Sequence, residues 1–270
     1  MAEKAFLVDT SKCQGCRACQ VACKQWNGLP GEKTEFFAGP EYTNPGKLSA
    51  ITWNHVIFFP IDRSNETRPI WTIMHKKCFH CAEANCMAVC PEKAIYKKDG
   101  WTVIDQDKCI GCGACVHACV YNVPEIAEIH HKNDAGQHII VKDRSHKCNA
   151  CTQNEREIPA CVTVCPSGAL LYDYRNKMID YAQKRVKELK ADGYPNASIY
   201  GLDQYGGLGV ITVLRDKPEK YDLPVNPPKV DHVKAEHTKD VYALLSTATM
   251  GVPALKRFAY KAAKSISKDA

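Results

Sequence analysis

The sixteen cysteines of this 270-residue chain fall into four groups of four, with none left over. They are Cys13, Cys16, Cys19 and Cys23; Cys78, Cys81, Cys86 and Cys90; Cys109, Cys112, Cys115 and Cys119; and Cys148, Cys151, Cys161 and Cys165. Each group opens with Cys-x-x-Cys and closes with Cys-x-x-x-Cys, and Pro91 and Pro166 follow the last cysteine of the second and fourth. Thiolates three apart on a tight loop reach several irons of one 4Fe–4S cube, whereas the cysteine that follows begins a helix and points at a neighbouring cube. The spacing therefore predicts four 4Fe–4S clusters arranged as a wire.

Other uses of cysteine fit less well. Disulfides serve small secreted scaffolds, and this chain is far longer and opens without a secretory pattern. Zinc ribbons pair Cys-x-x-Cys and leave the third cysteine of Cys-x-x-Cys-x-x-Cys without a role. Covalent haem needs a His directly after Cys-x-x-Cys, and no pair here has one. The formal charge of +6 counts cysteine as neutral. An oxidised cube with four thiolates carries about −2, so four contribute about −8 and the loaded chain lies near about −2. The basic residues thus offset the clusters and make no case for nucleic acid.

Loop lengths indicate how the groups pair. Only 18 residues separate Cys90 from Cys109, whereas 54 separate Cys23 from Cys78. The second and third groups then form one compact two-cluster unit, and the first and fourth pair across it. With the last cysteine of each group crossing to its partner's cluster, the expected ligand sets are Cys13, Cys16, Cys19 and Cys165; Cys23, Cys148, Cys151 and Cys161; Cys78, Cys81, Cys86 and Cys119; and Cys90, Cys109, Cys112 and Cys115. The fold class is α+β: two nested ferredoxin-like units, each holding two clusters, with insertions and a C-terminal helical tail. The expected division is 1–77 for the first half of the outer unit with its insertion, 78–130 for the inner unit, 131–230 for the second half with a helix and an extended arm, and 231–270 for the tail.

Strand character recurs at Ala5–Val8, Ile51–Phe59, Ile70–His75, Val103–Ile104, Ile139–Val141, Ala169–Tyr172 and Val210–Leu214. Apolar Met178, Tyr181, Ala182, Val186 and Leu189 repeat at helical spacing within Tyr174–Ala191, with Gly193 as a stop. Pro218–Pro228 reads as extended. Nothing matches a catalytic motif, and Gly206-Gly207-Leu208-Gly209 precedes a strand rather than joining strand to helix, unlike a nucleotide loop. His80 and His117 lie inside complete groups and are expected to hydrogen-bond or space the loops. Trp26 either shields the first cluster from water or simply packs.

The four-group pattern resembles the iron–sulfur electron-transfer subunits of molybdopterin enzymes of the dimethyl sulfoxide reductase superfamily. The run from Asp9 to Asn27, above all Cys23-Lys24-Gln25-Trp26-Asn27, is most similar to formate dehydrogenase beta subunits, as are Gly207–Leu214 and Lys217–Pro224. The resemblance implies a conductor without a catalytic site of its own. Its partners would be a large catalytic chain carrying a molybdenum or tungsten pterin cofactor and an acceptor such as a membrane cytochrome subunit. It also implies an order, from the Cys13 set through the Cys23 and Cys78 sets to the Cys109 set. Equivalent subunits of sulfur-compound or aldehyde enzymes, and a free polyferredoxin carrier, are the rival readings.

Residues 1–10 contain no apolar stretch or Arg pair, so the expectation is a chain without its own export signal. It would be cytoplasmic, or periplasmic by co-export with its catalytic partner. Val241–Leu255 is 15 residues without a charge, interrupted by Gly251 and Pro253 and followed by Lys256, Arg257, Lys261, Lys264 and Lys268. A span needs about 20 apolar residues. Packing on a partner subunit, an interfacial anchor and a span all remain open for this tail.

Overall fold

The computed structural model describes residues 3–34, 43–59, 71–132, 138–152 and 156–226, with only strand backbone between 127 and 143. The tail and its uncharged stretch lie outside the described residues. The organising element is a four-stranded sheet of order β8-β1-β10-β9, where β1 is Lys4–Asp9, β8 is Leu170–Tyr174, β9 is Ser198–Tyr200 and β10 is Val210–Leu214. β1 pairs parallel with β10 in the register Phe6 to Val210 and antiparallel with β8 in the register Phe6 to Tyr172. A parallel partner so distant in sequence joins the two ends of the described chain.

The alternation of β1 decides what each face meets, because successive strand side chains point to opposite sides. Ala5 and Leu7, with Ile211 and Val213 of β10, pack under the helix α5 (Arg175–Ala191) through Met178, Ala182 and Leu189. Phe6 and Val8 enter the larger core, which also contains Cys19, Cys78, Cys148 and Cys161. One face of the sheet is therefore covered by a helix and the other by the cysteine-bearing loops. Each fully buried Met or Leu contributes about 1.5–3 kcal/mol relative to exposure, so the α5 seam adds to the sheet's stability.

Three hairpins complete the fold: β2 (Asn54–Phe58) with β3 (Ile73–Lys77), β4 (Ile95–Lys98) with β5 (Trp101–Ile104), and β6 (Glu125–Lys132) with β7 (His138–His146). The β2 strand starts later than its apolar run, because Ser49 Oγ accepts the Ile51 and Thr52 N–H groups and turns the chain first. β3 continues past His75 since Lys76 and Lys77 stay paired with β2. The β4–β5 hairpin turns at Asp99 and Gly100, both with positive φ, the turn chemistry that an Asp-Gly pair favours. The expected extended arm instead opens with a 3-10 turn at Pro218–Tyr221. Among the described residues no helix is long and apolar enough to cross a membrane.

Candidate metal centres

The four groups share one local turn. The residue before the second cysteine has positive φ in each: Gly15 at 69°, His80 at 50°, Gly111 at 63° and Ala150 at 56°. That bend aims a backbone N–H at the first sulfur: His80 donates to Cys78 Sγ and Ala150 to Cys148 Sγ, both at 3.4 Å. A side chain at position 15 is blocked as well, since a Cβ there would lie 2.6 Å from the Phe58 ring.

A short helix follows each turn and begins one residue before the third cysteine. These are α1 (Ala18–Trp26), α2 (Asn85–Ala88), α3 (Ala114–Ala118) and α4 (Ala160–Thr163). The helix thus presents the third cysteine in its first turn. The fourth lies one turn later, within α1 as Cys23 and just beyond the ends of the shorter helices. This corrects the expectation that the fourth cysteine begins the helix. Four residues further along a helix is the same face, displaced by about 6 Å, and that displacement carries the fourth sulfur away from the loop that holds the first three.

The helices pack in pairs, α1 on α4 and α2 on α3. Cys13, Cys16, Cys19 and Cys165 line one void with Val8, Val56, His75 and Leu170, and Cys90, Cys109, Cys112 and Cys115 line another with Ile95 and Ile104. They measure ≈ 370 and ≈ 340 Å³, counting space open to solvent. The Cys23 thiol is pushed well above its usual range by burial and then by Cys148, Cys161 and Cys151. Cys81 rises to about 12 through burial and then through Cys78 and Cys119, and Cys86 rises through burial and the same two neighbours. Crowded buried thiols of this kind repel one another as anions and ionise together only around a cation or metal core.

Among the described residues no three His, Cys, Asp or Glu side chains meet closely enough to hold a single metal ion. Four soft thiol ligands ringed around a void suit a cube of iron and sulfide. Buried polar groups beside the sulfurs point the same way. His75 lines the first void and is buried, yet neither ring nitrogen has a partner among the described residues. A buried N–H without an acceptor costs about 1–3 kcal/mol, and a sulfur of a bound cube would satisfy it. Lys77 is buried, its ammonium lacks a hydrogen-bond acceptor among the described residues, and it favours the thiolate forms of Cys23, Cys148 and Cys161. Lys147 donates to the carbonyls of Thr102 and Cys148. Burial opposes its charge, but the sulfurs of Cys78, Cys86 and Cys148 outweigh that and raise its pKa.

His80 donates from Nδ1 to the Thr102 carbonyl at 3.1 Å and stands edge-on to Trp101; it holds the loop. His117 is exposed. Trp26 lies at the surface with the Arg156 guanidinium 4.4 Å from its ring centre. His75, Lys77 and Lys147 escape sequence reasoning, although one signal was present: Lys12, Lys77, Lys108 and Lys147 each directly precede the first cysteine of a group.

Comparison with known proteins also points to iron–sulfur clusters. Two models, both described as a 4Fe-4S dicluster domain, match residues 12–94 and 69–175. The formate dehydrogenase iron-sulfur subunit of Haemophilus influenzae is 34% identical over 264 residues, covering 96% of this chain and 80% of that protein. This chain belongs to the formate dehydrogenase iron–sulfur subunit family. The nitrate-inducible formate dehydrogenase iron-sulfur subunit of Escherichia coli is 35% identical over 236 residues, covering 85% of this chain and 75% of the relative. Formate dehydrogenase 2 subunit beta (cytochrome c-553) of Nitratidesulfovibrio vulgaris is 29% identical over 233 residues, covering 81% of this chain and 96% of the relative.

Proposed function

We propose that this chain is the electron-conducting subunit of a formate dehydrogenase-like complex. Its four 4Fe–4S clusters are assigned to Cys13, Cys16, Cys19 and Cys165; Cys23, Cys148, Cys151 and Cys161; Cys78, Cys81, Cys86 and Cys119; and Cys90, Cys109, Cys112 and Cys115. The outer unit comprises 1–77 and 131–230, and the inner unit 78–130 lies between them. Bound clusters supply one-electron transfer; the chain supplies their spacing, their shield from water and their countercharge. Formate oxidation belongs to a large partner that carries a molybdenum or tungsten pterin cofactor. An acceptor, for which a membrane cytochrome is the natural class, meets the far end of the series, and the complex is attached to the membrane through that partner or through the tail.

The observation that supports this reading is the lining of two voids, where Cys165 stands with the first group and Cys90 with the third. Anaerobically purified protein should contain about 16 irons and about 16 acid-labile sulfides per chain, and about four zincs with little sulfide would refute the assignment. Native size exclusion should show the chain eluting with a much larger subunit. Elution of the metallated chain alone, near its own 30.1 kDa, would make it a free carrier.

A further inference from the structure

Four lysines occupy equivalent sequence positions, each just before the first cysteine of a group, yet the fold treats them in two ways. Lys12 is exposed and donates to Tyr181 Oη at 2.7 Å. Lys108 has a side chain 65% exposed and pairs with Asp105 at 3.3 Å. Lys77 and Lys147, by contrast, are 2% and 5% exposed. Both turn inward. Lys77 Nζ lies 2.7 Å from the centre of the Phe6 ring, in the core that holds Cys78, Cys148 and Cys161, where its charge favours the thiolates of Cys23, Cys148 and Cys161. Lys147 Nζ donates to the Thr102 and Cys148 carbonyls, and the sulfurs of Cys78, Cys86 and Cys148 favour its charged form.

Burying an ammonium is expensive unless an opposite charge compensates it. No carboxylate forms an ion pair with either lysine among the described residues, whereas exposed Lys108 has one. The Phe6 ring beneath Lys77 and the two carbonyls on Lys147 offset that cost only in part, and the remaining countercharge is assigned to the bound clusters, which rests on the assignment above. A cube takes up a further negative charge when it gains an electron, and burial opposes that charge. A fixed cation alongside opposes the penalty.

We propose that Lys77 and Lys147 are built-in countercharges that raise the reduction potentials of the two middle clusters and so keep the buried centre of the series passable to electrons. Lys77 serves the Cys23, Cys148, Cys151, Cys161 cluster. Lys147 serves that cluster and the Cys78, Cys81, Cys86, Cys119 cluster together. Neither lysine contacts substrate, so both act by positioning charge.

The test is potentiometric titration of the full chain followed by electron paramagnetic resonance, with iron counted on each sample. The iron and sulfide of the unaltered chain test the cluster assignment separately. Lys77→Gln should shift the reduced-to-oxidised ratio of the Cys23 cluster at least tenfold toward oxidised, a drop of about 59 mV for one electron, with the Cys109-group cluster unmoved. Lys147→Gln should lower two clusters, and Lys77→Arg should stay within about twofold of the parent, or about 18 mV on the same scale. Lys12→Gln and Lys108→Gln should likewise change nothing beyond that margin. The proposal is overturned if fully metallated Lys77→Gln and Lys147→Gln proteins keep the parental potentials, or if the exposed-lysine variants shift as far. Loss of iron from both inward-lysine variants also overturns it, since the lysines would then serve assembly.

Discussion

Ala150 holds a backbone conformation that its glycine counterparts, Gly15 and Gly111, adopt freely. Left-handed φ costs an L residue roughly 1–2 kcal/mol, partly offset by the greater chain entropy that glycine loses on folding. Ala150→Gly should therefore stabilise the protein by about 0.5–1 kcal/mol and raise its thermal midpoint with iron content unchanged. The fourth cysteines allow a sharper test. Cys165→Ser should disturb the cluster of Cys13, Cys16 and Cys19 and spare that of Cys148, Cys151 and Cys161, lowering iron by at most about four per chain. A structure placing the sulfur of Cys165 on the cube held by Cys161 would contradict the crossed scheme. The thiol spacing was legible in the sequence because it is local. The turns at His80 and Ala150 were not, because nothing in those residue types signals left-handed backbone. Nor was the inward course of Lys77 and Lys147, which depends on what the fold sets around identical Lys-Cys pairs.

At the scale of elements, α5 is bound to the strand that leads into the first group. Asp9, fully buried, accepts from Arg185 Nε at 3.2 Å and from the Ser11 backbone N–H at 2.9 Å. Arg185→Ala should cost about 1.5–3 kcal/mol, the worth of a charged hydrogen bond, measured by chemical denaturation under anaerobic conditions. A second junction joins the entrance of β10 to the second group: Gly209 N–H donates to the Phe79 carbonyl at 2.8 Å. A Cβ at Gly209 would lie 2.8 Å from the Trp101 ring and 2.9 Å from His80 Cβ. Gly209→Ala should cost about 1–3 kcal/mol by overpacking and lower the thermal midpoint. The helix α5 and the strand β10 were readable from period and composition. β4 and β9 were not, being short segments whose pairing depends on neighbours elsewhere in the chain.

For the whole molecule, all sixteen cysteines lie at or before position 165, so removal of residues 231–270 should leave iron content and cluster spectra near those of the full chain. Association with the partner subunit or membrane should weaken, as measured by co-purification. Loss of clusters from a truncated chain that still binds its partners would place the tail inside the ferredoxin core. The nested arrangement also has a temporal side. Strand β1 pairs with residues 210–213, about 200 positions downstream, and domains acquire structure as synthesis proceeds from the amino terminus. The thiols at 13, 16, 19 and 23 leave the ribosome first, but their partners at 148–165 and the strand that seals the sheet over them leave late. The two contiguous inner groups have their full complement of sulfur far sooner. Under the proposed ligand sets, the thiols of the first group are therefore the last to be enclosed, and iron delivered before synthesis is complete would find finished ligand sets only in the second and third groups.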